Sequence, residues 1–166
     1  MRSMTKKLVS ATAIATAGIA VGVATAQNSS PAQPPTAVCE LVTKSEATAA
    51  LGDTVVVNDA GRSCAFTVTK PGAFSSLSVG LGPEGAKAES FAEGMRVYAE
   101  TANVTLRAVG DTGDEAWITL DDQVSQLVAR RGERYVSVIF VNVQTTADER
   151  MATMAELARK ALTRIG

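Results

Sequence analysis

The sequence predicts an α+β fold, in which an antiparallel β-sheet of about six strands carries helices packed on it. Short runs of alternating apolar residues are joined by turns rich in Gly, Pro and Asp, a pattern typical of antiparallel strands. Two longer segments instead place apolar residues at helical spacing, and a short capped helix precedes the first strands. The expected order is therefore one helix, three strands, a helix, three or four strands and a final helix.

The amino terminus is predicted to be a signal peptide that spans residues 1–26. Arg2, Lys6 and Lys7 precede a mostly apolar run, and Ala-Thr-Ala at 24–26 supplies the small residues that signal peptidase needs. A retained membrane helix is the alternative. Polar residues and glycines interrupt the run, which falls short of the roughly 20 apolar residues that a span needs.

The part of the chain that follows cleavage is expected to be secreted and mildly acidic. Residues 27–38 hold three prolines and no charge, which predicts a disordered linker, and residues 39–166 then form a single domain. Thirteen Lys and Arg against seventeen Asp and Glu remain, for a net charge of −4. This balance offers no basic surface for nucleic acid. We expect a periplasmic or extracellular protein with no stable membrane span after cleavage.

Cys39 and Cys64 are the only cysteines, and the chain has no histidine. Thiols exported to an oxidising compartment pair unless something keeps them reduced. A structural zinc site needs four ligands, and a redox-active pair usually has the spacing C-x-x-C. Because neither pattern is present, Cys39 and Cys64 are predicted to form a disulfide.

The first half of the domain begins with a capped helix. Thr43 and Glu46 have the spacing of a capping box, and Gly52 fits the left-handed position after a helix that ends at residue 51. Strands are predicted over 54–58, 63–69 and 76–81. In the second of them the alternation turns Cys64 and its apolar neighbours inward.

The second half begins with a helix over 84–102. Its expected buried stripe contains Ala88, Phe91, Ala92, Met95, Tyr98, Ala99 and Ala102. Strands follow over 104–109, 116–120, 124–130 and 134–143, and the last belongs in the middle of the sheet because it is apolar on both faces. Thr146 and Glu149 then have the spacing of a capping box, which predicts the start of a terminal helix. Its predicted buried stripe contains Met151, Met154, Leu157, Ala158, Ala161, Leu162 and Ile165.

The missing residue types exclude several chemistries. Without histidine there is no Ser-His-Asp triad, no Cys-His pair and no histidine metal ligand. The chain also lacks the P-loop and G-x-G-x-x-G patterns that cradle phosphates and dinucleotides. We therefore expect a protein that is not an enzyme and carries no cofactor. A hydrolase that works through paired carboxylates stays open as an alternative.

The candidate contact residues for a partner or ligand are Asp111, Asp114, Glu115 and Trp117. The three carboxylates crowd a glycine-containing loop, and such loops bind Ca²⁺ when their oxygens converge. Their spacing does not match the EF-hand pattern, so no metal is expected. Trp117 lies on the opposite strand face from its apolar neighbours. It either anchors a partner or packs under the helix over 84–102.

Several short patterns resemble a family of small secreted bacterial proteins and lipoproteins of unknown function. They are C-x-L-V-T-x-x-E from Cys39, L-G from Leu51, C-x-F from Cys64, G-D-E-A from Gly113 and L-V-A-R-R-G from Leu127. The chain lacks the lipobox of many relatives, and Asp111 stands where the family has glycine. The resemblance implies a location in the envelope or outside the cell and no established activity.

We therefore predict a secreted, disulfide-stabilised domain without enzymatic activity that binds a protein or a component of the cell envelope. A periplasmic module that binds a small molecule or metal is the first alternative. The carboxylate-dependent hydrolase is the second.

Overall fold

The computed structural model describes residues 37–72, 74–82, 91–142 and 144–165. These residues form helices α1 (Val38–Leu41), α2 (Lys44–Leu51), α3 (Phe91–Ala102) and α4 (Ala147–Ile165), and strands β1 (Val55–Asp59), β2 (Ser63–Val68), β3 (Ser75–Leu81), β4 (Thr105–Ala108), β5 (Glu115–Leu120), β6 (Val124–Arg131) and β7 (Arg134–Asn142). The predicted signal peptide, the linker up to residue 36 and the helix segment 84–90 lie outside the described residues.

The strands form one antiparallel sheet in the order β1-β2-β3-β7-β6-β5-β4. Strands β1 to β3 and strands β4 to β7 each follow one another directly across the sheet, and the pairing of β3 with β7 joins the two groups. The prediction of an antiparallel α+β fold is confirmed. Strand β7 lies in the middle of the sheet, as its apolar residues on both faces predict.

The predicted count of about six strands is wrong, because the sheet has seven, and the predicted order of elements differs at its start. Helix α1 precedes α2, and the second half of the domain contains four strands. Four residues are too few to show a helical period, so the sequence gives no sign of α1. The buried side chains of Val38 and Leu41 hold it against the core, although the sequence places Val38 in the linker.

Helix α2 has the predicted capping box. The backbone N–H of Glu46 donates to the hydroxyl of Thr43 at 3.3 Å, and the backbone N–H of Thr43 donates to the Glu46 carboxylate at 2.8 Å. Gly52 ends the helix with φ of 73°, a left-handed conformation in which its N–H donates to the Thr48 carbonyl.

Helix α4 packs along the central strands and provides much of the core. The residues buried in this contact are Met154, Leu157, Ala158, Ala161, Leu162 and Ile165 on α4, with Leu127, Val136 and Val138 on β6 and β7. The predicted stripe is therefore confirmed for six of its seven residues, and Met151 is partly buried. Among the described residues, no helix combines the length and hydropathy that a membrane-spanning segment requires.

Helix α3 lies outside this core. Met95 and Ala99 are its buried side chains, and the ring of Phe91 packs 5.1 Å from the ring of Tyr135 on β7. Tyr135 alternates with the core residues of β7, so α3 lies over the other face of the sheet. Tyr98 belongs to the predicted buried stripe, but it is 46% exposed. The helix packs mainly against β4 and β5, so the stripe that it buries is narrow.

Arg150 of α4 is a buried cation whose hydrogen-bond acceptors, among the described residues, are all neutral. Its guanidinium donates to the carbonyls of Asp121 and Thr145, both at 2.6 Å, and to the hydroxyl of Ser125 at 3.0 Å. Asp121 lies in the turn between β5 and β6, and Thr145 lies in the turn between β7 and α4. The side chain therefore ties α4 to two turns at one end of the sheet.

Glu46 of α2 links the first helices of the domain to the carboxyl end of α4. Arg164 of α4 donates to both Glu46 carboxylate oxygens at 2.7 Å, and it also donates to the carbonyl of Leu41. The hydrogen bonds from Arg164, together with those from Thr43, lower the pKa of Glu46 to about 2. Both carboxylate oxygens thus hold the short helices against α4.

The disulfide between Cys39 and Cys64 joins α1 to β2, with the two Cα atoms 5.0 Å apart. Cys64 is fully buried, and it lies on the same strand face as Phe66 and Val68, as predicted. The pairing confirms the predicted link, and it fits an oxidising compartment.

Replacing both cysteines by serine is expected to lower the free energy of unfolding by about 2–4 kcal/mol, since the open chain gains conformational freedom when unfolded. Urea unfolding of wild type and double variant, followed by circular dichroism, measures this difference. A loss below about 1 kcal/mol would contradict a stabilising role. The Cys39→Ala/Cys64→Ala variant controls for burial of the serine hydroxyls.

The stability of the protein is expected to fall between about pH 5 and pH 2. The folded state lowers the pKa of Glu46, so the stabilisation it gives is complete above the unfolded value of about 4.5 and is lost as the carboxylate is protonated. Glu46→Gln should remove about 1–2 kcal/mol at pH 7 and little at pH 2. Glu156→Gln, which alters an exposed ion pair with Lys160, should change stability by less than about 0.5 kcal/mol. Equal losses for Glu46→Gln at both pH values would refute the assignment.

Candidate functional site

The acidic loop at 110–115 packs closely against β6 and α4 because it has a glycine at position 113. Gly113 has φ of 77°, and a Cβ atom there would collide with the carbonyl of Arg130 and approach a methyl of Leu162 to 2.8 Å. Thr112 beside it is buried, and its hydroxyl donates to the Gly110 carbonyl. The loop thus has little freedom to close around a ligand.

Arg130 of β6 is the group on which two of the predicted site residues converge. Its guanidinium lies 3.7 Å from the Asp114 carboxylate and 3.6 Å from the Glu115 carboxylate. It also donates to the Gly132 carbonyl at 2.9 Å, while the N–H of Gly132 donates to Asp114 at 2.7 Å. These contacts tie the loop to the turn between β6 and β7.

Trp117 lies on the sheet face opposite the main core, as its alternation with buried neighbours predicts. Its indole N–H donates to the Glu115 carboxylate at 2.8 Å, and the ring is partly buried. Glu115 therefore binds Trp117 and Arg130 together. The side chains of Glu115 and Trp117 therefore already have intramolecular partners.

The remaining carboxylates do not join this cluster. Asp111 has φ of 54° and lies exposed on the turn. Asp121 and Asp122 follow the far end of β5, about 20 Å from Glu115 for a six-residue strand, and Asp121 accepts a hydrogen bond from Gln123 within its own turn. In the part of the chain that the structure describes, no three Cys, Asp or Glu side chains are grouped in a way that would hold a metal ion.

A larger feature is the sheet face on which Trp117 lies. Residues directly opposite each other in adjacent strands share a face, so the strand register defines rows that cross the sheet. The first row is Val56, Thr67, Ser76, Val141 and Val124; the second is Asn58, Ala65, Ser78, Ile139, Gln126, Thr119 and Leu106; the third is Ser63, Gly80, Ser137, Val128, Trp117 and Ala108. We call these three rows the uncharged face, because none of the residues carries a charge.

The uncharged face is open at the first row. Val56 is 56% exposed and Val124 is 41% exposed, and no residue of this row is buried. Phe74, two residues before Ser76 at the same end of the sheet, is 77% exposed. The other face differs sharply, since its central residues Leu77, Val138 and Leu127 are fully buried in the core. The open end thus presents apolar and small polar side chains to solvent.

No protein family, curated protein or solved structure matches the chain. The resemblance to secreted bacterial proteins of unknown function therefore stays a prediction.

The sequence did not predict Arg130 as a site residue, and it did not predict the uncharged face. Arg130 is one of several basic residues in the sequence, and its partners at Asp114 and Glu115 are brought to it only by the pairing of β5 with β6. The uncharged face needs the strand register as well. A detectable sign was present, because the outward positions of the strands hold Ser, Thr and Val instead of the charged residues common on solvated faces.

Gly113→Ala is expected to lower the free energy of unfolding by at least about 2 kcal/mol, because the methyl group would overlap the Arg130 carbonyl and the backbone is left-handed. Gly110→Ala is the matched control in the same loop, since its Cβ would meet nothing within 4 Å. Thermal and urea unfolding of both variants check the difference. Similar stability of the two would show that the loop does not press on β6.

Proposed function

We propose that this chain is a secreted domain without enzymatic activity that binds a partner protein of the cell envelope through the uncharged face. The observation that carries the proposal is the open first row, together with Phe74, at one end of the sheet. Exposed apolar patches on a soluble domain are typical of interaction sites. The disulfide supports a location outside the cytoplasm.

The chemistry of the face favours a protein partner over a charged ligand. Interface centres are depleted in charged residues and enriched in aromatic ones. The uncharged face has no cationic side chain to pair with phosphate or carboxylate, and Phe74 supplies an aromatic side chain with most of its surface available. The small side chains of Ser76, Ser78 and Gly80 along β3 leave the sheet flat enough for a partner to approach closely.

The acidic loop has a supporting part in this proposal. Nε of Arg130 is buried without a hydrogen-bond partner in the described part of the chain, but Arg130 and Trp117 both bind the Glu115 carboxylate. They fix the third row of the face and the turn next to it. The contact residues of the partner would lie nearer to Phe74, Val56 and Val124, at the end of the sheet away from this loop.

A capture experiment with two double variants tests the proposal. The full chain, with an affinity tag, is incubated with an envelope fraction from the source organism, and bound proteins are identified. Phe74→Ser/Val124→Ser removes apolar surface from the open end, while Val97→Ser/Tyr98→Ser removes comparable exposed surface from α3. Both changes should leave the melting temperature nearly unchanged.

We expect a captured protein to be lost with the first variant and retained with the second. The purified partner should then bind the first variant at least about 10-fold more weakly, which corresponds to about 1.4 kcal/mol. Retention by Phe74→Ser/Val124→Ser, or equal loss with both variants, would overturn the assignment of the face.

A further inference from the structure

Strand β1 forms one edge of the sheet, and its outer backbone groups have no neighbouring strand in the described part of the chain. The N–H of Thr69 donates to the Thr54 carbonyl and the N–H of Ala60 donates to the Ser63 carbonyl. Hydrogen-bonded and non-bonded pairs alternate in an antiparallel ladder. Val55, Val57 and Asp59 therefore occupy the non-bonded positions, and their backbone N–H and C=O groups point away from β2.

This edge has few of the features that usually prevent edge pairing, and its one charged residue, Asp59, lies at the end of the strand. Natural edge strands are short, charged, bulged or interrupted by proline. The opposite edge, β4, has four residues and carries Arg107. Strand β1 has three consecutive valines and a continuous register with β2, and Val56 and Val57 are 56% and 38% exposed.

We infer that β1 pairs antiparallel with β1 of a second copy of this chain, about a two-fold axis at Val57. This inference goes beyond the proposed function, because it concerns the edge of the sheet and not its face. The outward groups of Val57 would meet those of the second Val57, and those of Val55 would meet those of the second Asp59. Each of the three resulting pairs exchanges two backbone hydrogen bonds. The two sheets then become one sheet of 14 strands, twice the seven of one copy.

The side chains agree with this register. On one face Val57 meets Val57 and each Asp59 meets Val55, so no like charges are opposed. On the other face Val56 meets Asn58. If the axis lay at Val56 or Asn58, one residue of each strand whose backbone groups point away from β2 would have no partner in the second β1. If it lay at Asp59, two carboxylates would face each other, which is destabilising. Self-complementarity is the reason for choosing a second copy over an unrelated extended peptide.

The pairing is expected to be weak. Two five-residue strands bury much less than the roughly 800 Å² per partner of a standard interface. A dissociation constant on the order of 100 µM is therefore expected, and dimers would form mainly where the protein is concentrated.

Sedimentation equilibrium of the full chain, from about 10 µM to about 1 mM, tests the inference. Wild type should show a reversible monomer–dimer equilibrium. Val57→Lys should weaken it at least about 10-fold, because two ammonium groups would meet at the axis. Val97→Lys on α3 is the matched control, with similar exposure and the same change of charge, and it should dimerise as wild type does.

Val57→Pro provides a second variant that acts through the backbone. It removes an outward N–H that β2 does not use, so the dimer should be lost while the hydrogen bonds between β1 and β2 remain. Val57→Lys keeps the test decisive if this variant does not fold. Wild type that stays monomeric up to about 1 mM, or Val57→Lys that dimerises as wild type does, would overturn the inference. Loss of the dimer in Phe74→Ser/Val124→Ser with retention in Val57→Lys would overturn it too, since self-association would then use the uncharged face.

Discussion

Helix α4 and the central strands β6 and β7 bury one another's apolar side chains, and the other elements are arranged around this contact. The main core lies on one face of the sheet. Helices α1 and α2, with the disulfide, cover the first strands on the same face that α4 covers at the centre. Burial of side chains such as Leu127, Val138 and Leu162 contributes on the order of 1.5–3 kcal/mol each. The second face is left to α3, which covers it only in part.

This one-sided arrangement connects the fold to the proposed function. A solvated sheet face usually carries charged residues, which keep it from binding other proteins. Here three rows have none, and the charged groups begin at the fourth row, where Arg130 and Glu115 bind each other. The open end of the face and the free edge at β1 adjoin at Val56. A partner on the face and a second copy at the edge would therefore contact neighbouring parts of the surface.

Local features were predictable from the sequence, and long-range ones were not. The capping boxes at Thr43 and Thr146 involve residues three apart, and strand alternation needs only neighbouring residues, so both were visible. Helix α1 was missed because its stability comes from Cys64 and the core, far along the chain. Tyr98 was assigned to a buried stripe because helical period alone does not show how wide the contact with the sheet is.

The candidate site shows the same division. The sequence placed Trp117 on the outer face and grouped Asp114 with Glu115, which local spacing can do. It did not show that Arg130 binds both carboxylates, because strand pairing creates that contact. The same holds for the uncharged face, whose rows each cross at least five strands.

Arg150 has a consequence for the way the domain unfolds. Its guanidinium is buried, and its partners lie in the β5–β6 turn, in β6 and in the turn that leads into α4. Opening any one of these turns would leave a charged group short of hydrogen bonds in a dry environment, which is costly. Opening of these segments is therefore coupled, since fraying of the amino end of α4 also breaks the hydrogen bonds from Arg150 to Asp121 and Ser125. A single side chain thus links the stability of three segments at that end of the molecule.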